Sequence, residues 1–279
     1  MENEIYESSY KSEKHFSFGK NWQNFLESLN DEKIKNAKKS LVDFLGGEEK
    51  IKDKTFVDIG CGSGLFSLAA YKLGAAKVVS VDVDEFSIAC VKHLKEKNGN
   101  PQNWEIKQGS ALDEDFIKSL GQFDIVYSWG VLHHTGDMYS ALKNVSSLIN
   151  PEGVFYLAIY NRNKNRLKEG TSNLWVKLKR TYNESSFIVK KVMEYVYIVY
   201  FFMGSLLMLR NPLKQIKEHG SDRGMNWYND VIDWLGGHPY EFAGPDEIIN
   251  FFGKRNILCK KLIYREGIGC NEYLLKRSA

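Results

Sequence analysis

The chain has 279 residues, of which 43% are hydrophobic and 26% charged, and its formal net charge is +3. These values suit one large α/β domain, or one domain with a substantial insertion, and exclude a wholly disordered chain, a collagen and a polytopic membrane protein. The four cysteines lie far apart without a CxxC pair, so we expect neither a disulfide framework nor a metal site. The acidic N-terminus is followed by no apolar run, so we expect no secretory signal and a cytoplasmic location.

Residues 1–50 carry apolar side chains at three- and four-residue spacing, which predicts a helical N-terminal lid that ends at Gly46. From Lys54 onward, short apolar strands alternate with helices. Strands are predicted at 55–59, 77–81, 104–108, 124–128 and 154–159, with helices at 65–73, 85–97 and 138–148. The alternation indicates an α/β fold with a doubly wound, mostly parallel sheet.

The alternation stops after Tyr160 and returns at Pro245, which suits the first turn of a helix reaching Phe252. Residues 257–264 and 272–275 are then expected to form an antiparallel hairpin around a turn at 267–269. The predicted organisation is an N-terminal lid at 1–50, a core at 51–160 and 245–279, and an inserted helical cap at 161–244.

A glycine-rich turn joins the first predicted strand to the first helix in the sequence Asp58-Ile-Gly-Cys-Gly-Ser-Gly64. Glycines let the backbone turn tightly and let a ligand approach it, and the following helix offers free N–H groups. A dinucleotide fingerprint places its third glycine five residues after the first, whereas here the interval is four. Asp82, which ends the second strand, has oxygens that can accept hydrogen bonds from two ribose hydroxyls. Together these features predict a nucleoside ligand.

The segments 58–64, 81–82 and 123–128 resemble the class I S-adenosylmethionine-dependent methyltransferases, over about residues 50–160 and the closing strands. The flanking segments resemble a bacterial subgroup with an inserted cap. The resemblance implies a seven-stranded, Rossmann-like fold, S-adenosyl-L-methionine as methyl donor and S-adenosyl-L-homocysteine as product. In the family the glycine loop holds the methionine end of the donor, the acid after the second strand holds the ribose, and residues after the third strand contact adenine. It thereby implies a cofactor site at Asp58, Gly60, Cys61, Gly62, Gly64, Asp82, Val83, Ser110 and Ala111.

Aromatic rings attract cations such as a sulfonium, so Phe18, Trp22 and Trp129 are predicted to help close the cofactor pocket, with helix packing as the alternative. The fourth strand leads into His133 and His134 at the carboxyl edge of the sheet, where ligands bind in open α/β folds. Because histidine titrates near neutral pH, either residue is a candidate general base, although one could instead pack or cap a helix. The segment lacks the Asn/Asp-Pro-Pro-Tyr motif of many enzymes that methylate exocyclic amines, which favours an oxygen acceptor.

The inserted segment is basic and partly apolar. Residues 161–217 contain twelve Lys and Arg against three Glu, and 195–209 are nearly all apolar. Fifteen helical residues reach only about 22 Å, short of the ~30 Å core of a bilayer. The segment 190–210 is therefore interpreted as a buried cap helix, a helix in peripheral contact with a membrane at its inner face, or a subunit interface. Polar and aromatic residues around it suit an acceptor pocket, predicted at Tyr160, Asn161, Arg223, Trp227, Asp230, Trp234 and Tyr240.

The predicted function is S-adenosylmethionine-dependent O-methylation of a small molecule, a glycan intermediate or a lipid-like acceptor of the quinone or polyprenyl type. Two alternatives stay open. One is an RNA or other nucleic-acid methyltransferase that uses the basic segment, although no nucleic-acid partner is expected because no binding module is recognised. The other is a non-catalytic, cofactor-binding partner subunit. The sequence leaves the oligomeric state undetermined.

Overall fold

The protein contains a seven-stranded sheet with helices on both faces. The structure, a computed structural model, describes residues 29–162, 172–223, 227–265 and 269–278, with the side chains of 218–223, 229 and 230 outside it. Strand order is β3-β2-β1-β4-β5-β7-β6, and β7 runs antiparallel to both neighbours while the other pairs are parallel. The strands are β1 (Thr55–Ile59), β2 (Lys77–Asp82), β3 (Trp104–Gln108), β4 (Phe123–Trp129), β5 (Ile149–Tyr160), β6 (Ile257–Ile263) and β7 (Cys270–Arg277).

The helices of the core follow the predicted alternation. They are α1 (Asp31–Leu45), α2 (Leu65–Lys72), α3 (Glu85–Lys97), α4 (Glu114–Ser119) and α5 (Met138–Ser146), and α10 (Pro245–Gly253) follows the insertion. Two 3-10 turns lie at Glu48–Lys50 and Leu132–His134. Within the insertion are α6 (Ser172–Glu184), α7 (Phe187–Leu207), α8 (Pro212–Arg223) and α9 (Trp227–Gly236).

Local sequence explains where several helices begin and end. The Asn30 side chain accepts from the Lys33 backbone N–H at 3.0 Å and caps the start of α1. Gly46 adopts a left-handed conformation with φ 91° and ends that helix, as predicted. Asp84 caps α3 through the backbone N–H of Phe86. These local signals set the helix boundaries, and Asp84 begins α3 directly after the carboxyl end of β2.

The predicted seven-stranded, mostly parallel fold is confirmed, and the predicted strands and core helices coincide with the observed ones to within a few residues. The differences are that β5 begins at Ile149, earlier than expected, and that α4 was not predicted. The predicted hairpin pairs β6 with β7, and β7 lies between β5 and β6, so that β6 forms one edge of the sheet and β3 the other. The turn at 267–268 and the lid residues 1–28 lie outside the described residues.

Apolar side chains pack on both faces of the sheet. One cluster joins β1, β4 and β5 to α5 and α10, and a second joins the opposite face to α1 and α2. Leu41 and Phe44 of α1 are buried in this second cluster, so α1 packs against the sheet as part of the core. A third, smaller cluster lies within the insertion around Tyr182, Val231 and Leu235. The division into lid, core and cap stays a prediction.

Candidate functional site

The glycine loop connects β1 to α2 in the conformation that its sequence demands. Gly60, Gly62 and Gly64 have φ values of 74°, 53° and 79°, a region that side chains other than glycine rarely enter. The backbone N–H groups of Gly60 and Cys61 both donate to the Val81 carbonyl, at 2.8 and 3.0 Å. These bonds fix the loop against the end of β2, beside Asp82.

Two side chains pack directly on the loop. A Cβ atom added at Gly60 would lie 2.3 Å from Cγ1 of Val131, and one added at Gly64 would lie 2.9 Å from Cγ2 of Val91. Contacts this short are not tolerated, so both positions require glycine for steric reasons as well as for their φ angles. Val131 follows β4, which brings the loop next to the turn that carries the two histidines.

The Asp82 carboxylate spans the loop and the turn after β2. Its Oδ2 accepts from the Gly62 N–H and its Oδ1 from the Asp84 N–H, both at 2.9 Å. Burial raises the pKa of Asp82 to about 6. Each carboxylate oxygen keeps a lone pair after accepting one backbone bond, so the group can still accept hydrogen bonds from ribose hydroxyls. The positive-φ turn and this partly buried carboxylate fit an adenosyl sulfonium such as S-adenosylmethionine.

A buried hydrogen-bond chain lies beneath the loop. Trp104 Nε1 donates to Ser80 Oγ at 2.8 Å, Ser80 donates to Ser67 Oγ at 2.7 Å, and Ser67 donates to Asp58 Oδ2 at 2.6 Å. Burial raises the pKa of Asp58 to about 7. This chain links β3, β2, α2 and β1, and sequence analysis missed it because the four residues have no shared spacing. It binds the Asp58 carboxyl group through Oδ2.

The remaining predicted cofactor residues lie along the same edge. Val83 is exposed after β2, and its carbonyl accepts from Gln108 at 3.1 Å. Ser110 Oγ accepts from the Leu112 N–H at 3.1 Å, and Ala111 is buried beside it. Their positions after β2 and β3 are those that the resemblance implies.

Four further predicted cofactor residues remain, of which the structure describes Cys61 and Trp129. Cys61 is buried and free of any disulfide, and burial raises the pKa of its thiol. Trp129 ends β4 and packs against the core cluster on the face of the sheet that carries α1. Phe18 and Trp22 lie outside the described residues.

The two histidines occupy the 3-10 turn after β4, where His133 is fully buried and His134 is partly exposed. His133 Nδ1 accepts from the Tyr160 N–H at 3.3 Å, and its ring lies 4.0 Å from the Tyr160 ring. His134 Nδ1 lies 2.6 Å from the Pro239 carbonyl. A carbonyl only accepts, so neutral His134 carries its proton on Nδ1, whereas Nδ1 of His133 accepts and its proton lies on Nε2.

Burial and the nearby Lys179 charge lower the pKa values of both imidazole groups. The pKa of His133 falls well below its ordinary value, and that of His134 falls to about 3. A base with so low a pKa is weakly matched to proton removal near neutral pH. The candidate role of either histidine as general base stays a prediction, and the tautomer makes His133 a hydrogen-bond donor through Nε2.

Apart from Asn161, the predicted acceptor residues fall into three groups. Tyr160, Trp234 and Tyr240 lie together, with the Tyr160 ring 5.6 Å from Trp234 and 5.1 Å from Tyr240. Trp227 packs instead on Phe201 of α7, with ring centroids 5.1 Å apart. The structure describes the backbone of Arg223 and Asp230, which lie on α8 and α9, but not their side chains.

Asn161 is tied to the closing strands. Its Nδ2 donates to the Arg265 carbonyl at 3.0 Å, and its Oδ1 accepts from Asn271 at 3.1 Å. These bonds hold the end of β5 against β7 beside the site. Its predicted role in acceptor binding stays a prediction.

Sequence analysis missed Lys179 of α6, which is fully buried against Trp234 and Tyr240. The signal was present only as one of twelve basic residues in the segment 161–217. Among the described residues, no group of three or more His, Cys, Asp or Glu side chains could hold a metal ion.

Comparison with known proteins agrees with this geometry. A family described as "Methyltransferase domain" matches residues 50–203, more than half of the chain. The chain is 34% identical over 113 residues to a ubiquinone biosynthesis O-methyltransferase of Coxiella burnetii, a match that covers 40% of this chain and 46% of that protein. It is 34% identical over 108 residues to a ribosomal protein L11 methyltransferase of Tolumonas auensis, covering 39% and 34% of the two chains. The chain thus spans less than half the length of these curated relatives.

Solved structures share the fold at low sequence identity. PKMT2 from Rickettsia typhi in complex with AdoHcy has a TM-score of 0.57 at 16% identity, covering 87% of this chain and 53% of that one. Magnesium protoporphyrin IX methyltransferase from Synechocystis with bound SAH has a TM-score of 0.51 at 14% identity, covering 90% and 89%. The family match, the strand order and the glycine loop agree, and the chain belongs to the class I S-adenosylmethionine-dependent methyltransferases.

Proposed function

We propose that the protein transfers a methyl group from S-adenosylmethionine to an oxygen atom of a small, lipid-like acceptor. The single observation that supports this methyl donor is the geometry of the glycine loop, whose Gly62 N–H donates to the Asp82 carboxylate at 2.9 Å. Gly60, Gly62 and Gly64 would hold the methionine end and Asp82 the ribose. When bound, the donor supplies an electrophilic methyl group on a sulfonium, and the protein aligns the acceptor and excludes water. Alignment of the reacting groups can lower the activation barrier by roughly 7–11 kcal/mol.

The oxygen acceptor is supported by the curated relatives and by the residues beyond β4. Ubiquinone biosynthesis O-methyltransferases of Coxiella burnetii and Pelagibacter ubique share 34% and 26% identity with this chain over their matched regions. The turn after β4 carries His133 and His134 in place of an Asn/Asp-Pro-Pro-Tyr motif. The Tyr160 ring contacts His133 in that turn, and the Trp234 and Tyr240 rings pack on Tyr160. Such a group of rings suits a planar acceptor.

Calorimetry with S-adenosylhomocysteine tests the donor site, and methylation of a panel of prenylated and unprenylated hydroxybenzenes tests the acceptor class. Binding heat together with transfer to a hydroxyl is the expected result. Folded protein that gives no heat with either donor or product would refute the proposal, and transfer only to amines would refute the oxygen acceptor.

The exposed apolar face of the long helix α7 supports the proposal of a lipid-like acceptor. In the described part of the chain no helix combines the length and hydropathy needed to cross a membrane. Nevertheless, α7 is not the buried cap helix that the sequence allowed, because many of its large apolar side chains are exposed. They are Phe187, Ile188, Val189, Val192, Tyr195, Val196, Val199, Tyr200, Met203, Leu206 and Leu207.

Helical geometry places most of these residues on one continuous stripe. At 100° per residue, positions 188, 189, 192, 195, 196, 199, 200, 203, 206 and 207 fall within an arc of about 140°. Glu194 and Ser205 are buried on the opposite side, where Glu194 accepts from Tyr182 at 2.8 Å and pairs with Lys191 at 2.8 Å. An apolar stripe of this size on a protein surface marks an interaction site.

We infer that the stripe binds a membrane surface containing anionic lipid. The basic residues Arg210, Lys214 and Lys217 follow the helix and are exposed. Basic residues beside an apolar face favour an interfacial helix over contact with a second protein surface of unknown charge.

Flotation with vesicles of phosphatidylcholine alone or with phosphatidylglycerol tests this inference. Val199→Glu should weaken binding, and Leu258→Glu, which changes an exposed leucine on the edge strand β6, should not. Wild-type protein that fails to float with either vesicle, or that forms a concentration-dependent dimer through α7, would refute the membrane assignment.

A further inference from the structure

One buried group in the insertion has no place in the proposed donor site. Lys179 of α6 has a relative exposure of 0%. Its Nζ donates to the Trp234 carbonyl and lies 4.1 Å from the Trp234 ring centroid and 4.8 Å from that of Tyr240. We call Lys179, His133, Tyr160, Trp234 and Tyr240 the Lys179 cluster.

The Lys179 cluster is continuous with the glycine loop. Val131 packs on Gly60, and the turn that follows it places the His133 ring 4.0 Å from Tyr160. Tyr160 in turn lies 5.1 Å from Tyr240, over which the Lys179 ammonium is placed. A planar acceptor beside the donor methyl group would therefore meet this cluster.

The cluster also contains buried polar atoms whose bonding capacity is unused. Among the described residues, His133 Nε2, Trp234 Nε1 and Tyr240 Oη are buried and have no hydrogen-bond partner. The Nδ1 atom of His133 accepts from the Tyr160 N–H, so its Nε2 is a donor. Native proteins rarely leave such atoms unsatisfied. The three side chains all pack on the Tyr160 ring, so one polar ligand beside Tyr160 would supply partners for them.

A purely structural role explains only part of this arrangement. The Lys179 ammonium binds a carbonyl in the last turn of α9, and cations are favourable there. Asn183, one turn further along α6, already binds the Gly236 carbonyl at 2.6 Å without any charge. Capping alone requires neither a buried ammonium between two ring faces nor three unsatisfied donors around it.

Charged and titratable groups face Lys179 from each neighbouring element. Asp233 of α9 favours its charged form, whereas burial has the larger effect and lowers the pKa of Lys179 to about 7. From the turn after β4, His133 and His134 are neutral because burial and the lysine charge depress their pKa values. Tyr240 faces it from the segment after α9, and burial raises the pKa of its hydroxyl.

We propose that Lys179 binds the ionisable hydroxyl of an aromatic or enolic acceptor and takes its proton, while His133 Nε2–H and the Tyr240 hydroxyl donate to the same oxygen. This proposal rests on the proposed function and names the acceptor as a phenol-like oxygen. The O–H bond breaks and its proton moves to the neutral Nζ of Lys179. The oxygen electron pair forms the new bond to the methyl carbon, the carbon–sulfur bond breaks, and its electron pair stays on sulfur. The products are a methyl ether, the thioether and a Lys179 ammonium that later releases the proton to water.

Binding of 4-nitrocatechol in the presence of S-adenosylhomocysteine tests the proposal without turnover, because the ionised form of this phenol absorbs visible light. At a pH below that at which the free probe ionises, the wild-type protein should bind the probe and convert it to its ionised form. Lys179→Met should weaken binding at least tenfold and abolish the spectral shift. Lys177→Met, which alters an exposed lysine on the same helix, should behave as wild type.

Lys179→Arg provides a second variant, because arginine keeps the cation but cannot act as a base near neutral pH. It should retain probe binding and lose methylation of unsubstituted catechol, which is protonated near neutral pH, and a melting curve verifies that each variant is folded. Equal binding and an equal spectral shift in Lys179→Met, or no binding to the wild type, would overturn the assignment. Retained calorimetric heat with S-adenosylhomocysteine in that case leaves the donor site intact, whereas loss of this heat in the wild type would overturn the proposed function itself.

Discussion

Replacing Lys179 by methionine should stabilise the protein at neutral pH. Burial lowers the pKa of Lys179 from 10.5 to about 7. At 1.36 kcal/mol per pKa unit, holding this amine in the folded state costs about 4 kcal/mol at pH 7 relative to the unfolded chain. Methionine has a similar length and no charge, but it loses the bond to the Trp234 carbonyl, worth about 1–3 kcal/mol. The free energy of unfolding should therefore rise by about 1–3 kcal/mol.

The sign of this effect also fixes its pH dependence. Between the folded pKa of about 7 and the unfolded value of 10.5, the unfolded chain binds more protons than the native protein does. Wild-type stability thus gains from this group as the pH rises through that window. The advantage of Lys179→Met should be greatest below pH 7, where the full cost applies, and should shrink steadily toward pH 10.

Urea unfolding at pH 6, 7.5 and 9 measures the difference, with Lys177→Met as the matched control. Lys177 is exposed on the same helix, and its replacement should change the free energy of unfolding by less than about 0.5 kcal/mol. A loss of stability in Lys179→Met that is the same at every pH would show that the lysine is an ordinary helix cap. It would refute the view that desolvation of the Lys179 ammonium lowers the stability of the native protein.

Three further changes probe the donor site. Binding of S-adenosylhomocysteine should weaken as the pH falls through about 6, because the Asp82 carboxyl becomes protonated, and Asp82→Asn should weaken it about tenfold or more in calorimetry and remove this pH dependence. Gly60→Ala should lower the free energy of unfolding in urea more than Gly121→Ala does, because a Cβ at Gly60 meets Val131 at 2.3 Å. A Cβ at Gly121 has nothing within 4 Å, so that variant carries only the cost of a positive φ angle, about 1–2 kcal/mol. Ser67→Ala removes the donor that binds the buried Asp58 and should lower the free energy of unfolding by about 1–3 kcal/mol, and an unchanged urea midpoint would contradict the role of this hydrogen-bond chain.

The core of the fold followed from sequence because its signals are local. The strands β1 and β2 are short apolar runs, since both faces of a parallel sheet are covered. Gly60 and Gly64 stand where the chain must adopt positive φ, and Gly46 ends a helix in the left-handed region. Each of these features depends on a few neighbouring residues, so reading along the chain was sufficient to find them.

Features that depend on distant residues could not be found in this way. The bond from Trp104 to Ser80 joins two strands, and Ser67 continues it from a helix, so no spacing in the chain reveals it. Lys179 reads as one more surface cation in a basic segment until α9 is placed against α6. The composition of α7 predicts apolar character, but only packing shows that its stripe faces outward.

Within the insertion, the Lys179 cluster and the helix α7 are connected by a few contacts between aromatic rings. Trp175 of α6 lies 5.2 Å from Trp234 in the Lys179 cluster and 6.2 Å from Tyr197 on the inner face of α7. The helix proposed to lie on a lipid surface is thus one aromatic side chain away from the place proposed to hold the acceptor oxygen. For a lipid-like acceptor this arrangement lets the ring reach the donor site while the tail stays in the lipid that contacts α7. Both proposals therefore predict one common result: membrane-bound protein should methylate a prenylated phenol faster than its unprenylated analogue, and Val199→Glu should abolish that preference while leaving the unprenylated reaction unchanged.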